Sequence, residues 1–247
     1  MNQDYKVVGR EIKRIIADDI VTGKAVFTDD LRVTGMVYGK VLRSPYPHAR
    51  ITRIDADRAK ACDGVHAVVT YKDIPDNIYI TNQMTPAPHY RPLNETVRFV
   101  GDPVALVVAD TEDIALDAME LIEVEYEELP PVFTIDEALA PDAPQLYDVF
   151  PGNIAPPIFP GLDDLDFKVG DPEAGFARAD IIVEMDGEIK SGQNAMPAEA
   201  PVCIAQWNDD MLTIYGSIAA PSNCQTYVAA SLDIPYERVR IVAPCVG

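Results

Sequence analysis

"VRFVGDPVALVVADTEDIALDAMELIEVEYEELPPV", residues 97–132, carries three elements in unbroken succession. "VALVVA" (104–109) is a continuous apolar run of strand length. Asp110 or Thr111 can then cap a helix over 111–122, with Glu112 and Asp113 well placed in its first turn. Ile114, Ala118, Leu121 and Ile122 recur at helical spacing and define one apolar face. "IEVEYEE" (122–128) switches to an alternating pattern, a strand with its acidic residues outward. Strand, helix and strand within so short a stretch put sheet and helix in one domain.

Upstream, "GMVYGKVLRS" (35–44) reads as a strand, "SPYPHAR" as a Pro-bearing turn and "ITRID" as a short strand. "DADRAKACDG" (55–64) forms one short helix, with Asp55 or Asp57 to start it and Gly64 to end it. "VHAVVT" (65–70) is expected as a buried strand, and residues 75–96, with four prolines, as a long irregular connection. Downstream, "TIDEALA" is a further short helix, and the Pro-rich stretch 141–165 reads as a linker laid on a surface. A second block follows with strands "DIIVEMDGEI", "APVCIAQW" and "MLTIYGS", a helix opening at Pro221, and a last strand "VRIVA". Strands and helices mix without strict alternation, which gives an α+β class. The divisions are an arm over 1–20, a first domain over 21–140, the linker over 141–165 and a second unit over 166–247.

The formal net charge of −20 argues against nucleic acid and anionic membrane as partners, since both are bound through basic patches. No apolar run reaches the length of a membrane span, and the charged N-terminus lacks the apolar stretch of a signal peptide. The expected compartment is therefore the cytoplasm, where Cys62, Cys203, Cys224 and Cys245 stay reduced. The last three recur every 21 residues, but their flanks differ and no Cys-x-x-Cys or neighbouring His supports a metal site. They read as small buried hydrophobes.

The general catalytic signatures are missing: no Gly-x-Gly-x-x-Gly, phosphate loop, Gly-x-Ser-x-Gly or His-Glu-x-x-His. Of three histidines, His66 lies inside an apolar strand and reads as structural, while His48 and His89 sit on Pro-rich loops.

Longer motifs carry a resemblance. "GKAVFTDDL", "GKVLRSPYPHARITRID", the stretch 97–132 and "DEAL" resemble the first domain of the molybdenum hydroxylases, the xanthine dehydrogenase and aldehyde oxidase family. "VGDPEAGFARADIIVEMDGEI", "GQNAMPAEAPVCIAQW" and "GSIAAPSNCQTYVAASLDIPYERVRIVAPCVG" are similar to the opening of that family's molybdopterin-binding domain. The implied architecture is an α/β-hammerhead domain over 21–140, followed by the truncated start of a molybdopterin-binding domain over 166–247. The implied reaction is oxidative hydroxylation of a carbon beside nitrogen, or of an aldehyde carbon, with water as the oxygen source. The implied cofactor is molybdopterin, with iron–sulfur clusters and FAD on partner subunits.

On this resemblance Gln193 corresponds to the glutamine that hydrogen-bonds the apical oxygen ligand of molybdenum, a task suited to an amide that donates without adding charge. The alternative is a surface Gln in a turn after Gly192. Glu199 in the same motif is expected as a structural carboxylate, an ion-pair or capping partner. The position two after Gln193, often histidine in the family, is Ala195, which leaves the substrate open. Ser222 and Gln225 fall in the segment that packs near the pterin, and are equally ordinary polar residues of a helix start. Gly247 would be the first glycine of the family's Gly-rich loop, whose amides reach metal oxygen and pterin phosphates.

The family's substrate-binding arginine and general-base glutamate have no counterpart up to Gly247. The expectation is an N-terminal fragment or split portion, inactive alone, acting with the remainder of the molybdopterin subunit, with iron–sulfur and flavin subunits and with a small-molecule substrate, in a homo- or hetero-oligomer. The alternative is a non-catalytic interaction or scaffold module built on the hammerhead fold.

Overall fold

The central element of residues 97–132 is a strand with both faces covered. The computed structural model describes residues 8–79, 90–155, 169–187 and 199–246. After a short helix α1 (Ala17–Val21) come β1 (Tyr38–Arg43), β2 (Ala49–Asp55), α2 (Asp57–Lys60), β3 (Val65–Thr70), β4 (Thr96–Val97), β5 (Pro103–Ala109), α3 (Glu112–Met119), β6 (Glu123–Glu128) and α4 (Ile135–Leu139). β5 is the middle strand of an antiparallel sheet in the order β1-β5-β3. Ala105, Val107 and Ala109 face α2 and α3, where Ala59, Ala115 and Ala118 let the helices approach closely. Val104 turns the other way, onto Ala49, Ile51 and Val97 of a second sheet, order β4-β2-β6. A run with no polar face is what this double cover requires.

α3 starts as expected, with Thr111 Oγ1 accepting from the Ile114 amide. It ends earlier, at Met119, and Leu121 and Ile122 follow in tight turns onto the Ala118 and Met119 carbonyls. The fully buried face is accordingly Ala115 and Ala118, with Ile122 beyond the helix. β6 keeps its alternation: Val124 and Tyr126 turn inward, while Glu125 and Glu127 pair across the strand with Arg53 at 3.0 Å and Arg50 at 3.5 Å. Gly64, between α2 and β3, has φ +81°, and a Cβ there would stand 3.0 Å from Ile114 Cδ1. Both conformation and space hold that position to glycine.

His66 departs from its expected place. It is exposed, with Nε2 2.7 Å from Asp110 Oδ1. β3 is an edge strand whose register with β5 shifts between Val65 and Ala67, so the bulge carries His66 out of the ladder. His48 is buried, Nδ1 2.6 Å from the Pro130 carbonyl, and serves packing. His89 lies outside the described residues.

A buried knot secures the chain before β5. Asp102, with no exposure, accepts from the Tyr90 hydroxyl at 2.7 Å and the Arg98 amide at 2.9 Å. Arg98 then reaches out, donating from Nε to the Leu146 carbonyl and lying 4.5 Å over the Tyr147 ring. Residues around 144–153 are thereby fastened to the first domain, helped by Asn153 donating to the carbonyls of Ala138 and Pro144.

The second unit holds α5 (Pro172–Arg178), capped by Asp171, then β7 (Cys203–Asn208), β8 (Met211–Gly216), α6 (Pro221–Leu232) and β9 (Val239–Val242). β7 and β8 form an antiparallel hairpin, and β8-α6-β9 adds a parallel neighbour, giving the order β7-β8-β9. The strand expected over "DIIVEMDGEI" does not form in its described part, residues 180–187, which join no ladder. Strand geometry is held by hydrogen bonds to a neighbour, and none lies alongside among the described residues. Among the described residues no helix is long and apolar enough to cross a membrane.

Candidate functional site

Parallel strands joined through a helix bring their carboxyl ends, and the loops that follow them, to one edge of the sheet. In this sheet β8 and β9 are such a pair, with Tyr215 opposite Val242. β7 runs the other way and starts at the same edge, Cys203 opposite Gly216. Three stretches therefore meet there: residues 199–202 entering β7, residues 217–222 leading from β8 into α6, and residues 243–246 leaving β9. Gly216 closes β8 against Ile218, whose Cδ1 would stand 3.0 Å from an added Cβ.

Ser222 is exposed in the first turn of α6, at this edge. The helix opens with Pro221, carries no acidic residue in its first turn, and its N-cap Ala220 offers no capping side chain. The amides of Ser222 and Asn223 have no partner inside the helix and remain as donors at its positive end. That donor set suits an anionic group such as a phosphate. Gln225, one turn into the helix, donates from Nε2 to the Tyr236 carbonyl at 3.2 Å, bracing α6 against the turn before β9. Gln193 and Gly247 lie outside the described residues, as does Ala195.

Glu199 is a capping partner across the two units. Its Oε1 accepts from the amide of Thr28 at 3.2 Å, 171 residues away. Thr28 opens a short 3-10 turn, Thr28–Asp30, and is fully buried. Beside this bond a cavity of about 330 Å³ separates residues 28–40 from the start of β7, with Arg32, Lys40, Cys203 and Gln206 in its wall. Lys40 is held by Glu112 at 2.7 Å.

The cysteines lie less deep than expected: Cys203 is exposed, and Cys62, Cys224 and Cys245 are half-buried. Their spacing of 21 reflects topology, because the chain returns to the same sheet edge at Cys203, Cys224 and Cys245. Burial, and then the proximity of Cys203, pushes the Cys224 thiol up, so it stays protonated at neutral pH. Among the described residues no group of three His, Cys, Asp or Glu side chains could hold a metal ion. Sequence reasoning missed the Asp102 knot; its only signal was a carboxylate in "VGDP" directly before the most apolar strand.

Comparison with known proteins gives two family models in chain order. Residues 22–130 match "Aldehyde oxidase and xanthine dehydrogenase, a/b hammerhead domain", and residues 150–247 match "Molybdopterin cofactor-binding domain". The "Probable hypoxanthine oxidase XdhD" of Escherichia coli O157:H7 is 34% identical over 99% of this chain and 29% of its own length. The nicotinate dehydrogenase large molybdopterin subunit of Eubacterium barkeri is 33% identical over 100% of this chain and 56% of its own length. Among solved structures, quinoline 2-oxidoreductase from Pseudomonas putida 86 superposes with a TM-score of 0.79 at 31% identity, covering 97% of this chain and 30% of that one. The chain thus spans from under a third to little more than half of the length of these relatives.

Proposed function

Because this chain belongs to the aldehyde oxidase and xanthine dehydrogenase family, we propose that it supplies the hammerhead domain and the opening of the cofactor domain of a molybdenum hydroxylase catalytic subunit in the cytoplasm. The parent reaction converts a carbon–hydrogen bond beside a ring nitrogen, or an aldehyde C–H, to C–OH: substrate and water give hydroxylated product, two protons and two electrons. The observation that carries this reading is the gathering of residues 199–202, 217–222 and 243–246 at one edge of the parallel pair. An uncapped helix start without acidic residues at that edge fits a phosphate-bearing pterin.

When bound, molybdopterin supplies the redox-active metal that activates water and accepts the electron pair. This chain's residues bind and orient. The first-turn amides of α6, with Ser222, would hold phosphate; Gln225 keeps α6 in register with the turn before β9; Gly247 is a cofactor-binding candidate by the family resemblance. By the family resemblance Gln193 would contribute to cofactor binding, as an amide that donates without adding charge. Glu199 ties the stretch entering β7 to the hammerhead domain through Thr28. The remainder of the molybdopterin subunit completes the site in this reading, and iron–sulfur and flavin subunits take the electrons onward. The substrate is a small N-heterocycle or aldehyde.

The test is recovery of the chain together with the polypeptides encoded beside it, with metal analysis of the purified complex. Molybdenum and a pterin in near-stoichiometric amount are expected; their absence from every such complex overturns the reading. Ser222→Asp should then reduce pterin content severalfold by placing a carboxylate against the phosphate.

A further inference from the structure

Two thiols from separate elements converge at the edge where β8 ends. Cys203 opens β7 opposite Gly216. Side chains opposite one another in a ladder share a face, so Cys203 lies on the face that bears Leu212, Ile214, Val239 and Ile241. Leu212 and Val239 are buried there, and α6 is the helix packed on this sheet. On α6, Cys224, Val228 and Ser231 fall at i, i+4 and i+7 and are each half-buried, a stripe on its covered side. Cys224 begins that stripe, its amide on the Ala220 carbonyl at 3.0 Å, one turn in from the β8 edge. The two thiols are near enough to act on one another: after burial, Cys203 is what raises the Cys224 thiol.

The other cysteines are placed differently. Cys62 belongs to the first domain, its Sγ donating to the Arg58 carbonyl at 3.4 Å. Cys245 follows β9, and β8 separates β9 from β7. Two strand spacings, about 10 Å, exceed the roughly 7 Å between Cα atoms that a disulfide spans. Within the pair, one member is fixed and the other can adjust. The start of β7 is tied through Glu199 to Thr28. The opening turn of α6 has no capping side chain, and Pro221, Ser222 and Asn223 are exposed.

We propose that Cys203 and Cys224 are a redox pair that a peroxide closes into a reversible disulfide, latching the first turn of α6 to the start of β7. Cys203, exposed, meets the oxidant first. Its sulfur attacks one peroxide oxygen: an S–O bond forms, the O–O bond breaks, and the departing oxygen leaves as water with the thiol proton. The Cys224 sulfur then displaces the hydroxyl from Cys203. An S–S bond forms, the S–O bond breaks, and a second water carries off the Cys224 proton. Each sulfur gives up one electron and the peroxide takes both. A small thiol of the glutathione class reopens the bridge by exchange, so in a reducing compartment it is a transient state and not a staple.

The test is treatment of the full chain with a few equivalents of hydrogen peroxide at neutral pH, alkylation of the remaining thiols, and peptide mass mapping without reductant. Two of the four thiols should disappear, the peptides bearing Cys203 and Cys224 should be joined within one chain, and dithiothreitol should restore both. Cys224→Ser should leave a sulfenic acid on Cys203 that dimedone traps, whereas Cys203→Ser should leave Cys224 unreacted at the same dose. With the bridge closed, amides of β7 and of the first turns of α6 should exchange at least about tenfold more slowly, and return on reduction. A bridge to Cys245, a bridge between two chains as the main product, a lasting sulfenic acid on Cys203 with Cys224 present, or unchanged exchange in the bridged chain each overturns the proposal.

Discussion

Asp102 shows how one carboxylate can organise a loop. Replacing it with Ala strands the Tyr90 hydroxyl and the Arg98 amide in the interior, and Asp102→Ala should cost about 3 kcal/mol in urea unfolding. Burial, reinforced by Asp102, holds the Tyr90 phenol well above its ordinary value, and burial also raises Tyr126 and Tyr147. A phenol raised on folding contributes stability that is complete below its unfolded value of about 10 and is lost as pH rises beyond it. Stability should therefore fall above about pH 10, with tyrosinate absorbance in the near ultraviolet appearing together with unfolding. At Glu199, loss of the Thr28 cap in Glu199→Ala should cost about 1 kcal/mol, with Glu199→Gln restoring part of it.

Thr111 is the start signal of α3, and Thr111→Ala should cost about 1 kcal/mol in thermal or urea unfolding. Asp233 closes α6 in the left-handed region, φ +53°, so Asp233→Gly should raise stability by about 0.5 kcal/mol. Elements with local signals are legible in the residues themselves: the apolar run of β5, the cap of α3, the alternation of β6, and Pro221 at the start of α6. What could not be read was decided by neighbours. His66 is on the surface because of a register shift between two strands, and the described part of "DIIVEMDGEI" forms no strand because nothing described runs beside it. At the site, Ser222 is legible as a helix-start residue, and Glu199 as a cap. Its partner Thr28 lies too far along the chain for any local pattern to indicate, and Gln225's bond to Tyr236 depends on how α6 meets the following turn.

Across the molecule the two units are unequally built. The first domain buries residues from both sheets and two helices, whereas apolar burial among the described part of the second reduces to Leu212, Ala229 and Val239. Among the described residues only one α-helix, α6, packs on this three-stranded sheet, and one helix cannot cover both of its faces. Amides of β7, β8 and β9 in the isolated chain should accordingly exchange at lower denaturant than those of β1, β3 and β5.

The bond between Thr28 and Glu199 has a further consequence for synthesis on the ribosome. A contact spanning 171 residues has a high loop-closure cost and forms late. β1 to β6 and their helices can close as soon as residue 128 has emerged, so the hammerhead stands finished while the second unit is still being translated. The buried Thr28 turn is then a prefabricated berth, and Glu199 is the residue by which the nascent cofactor domain moors to it.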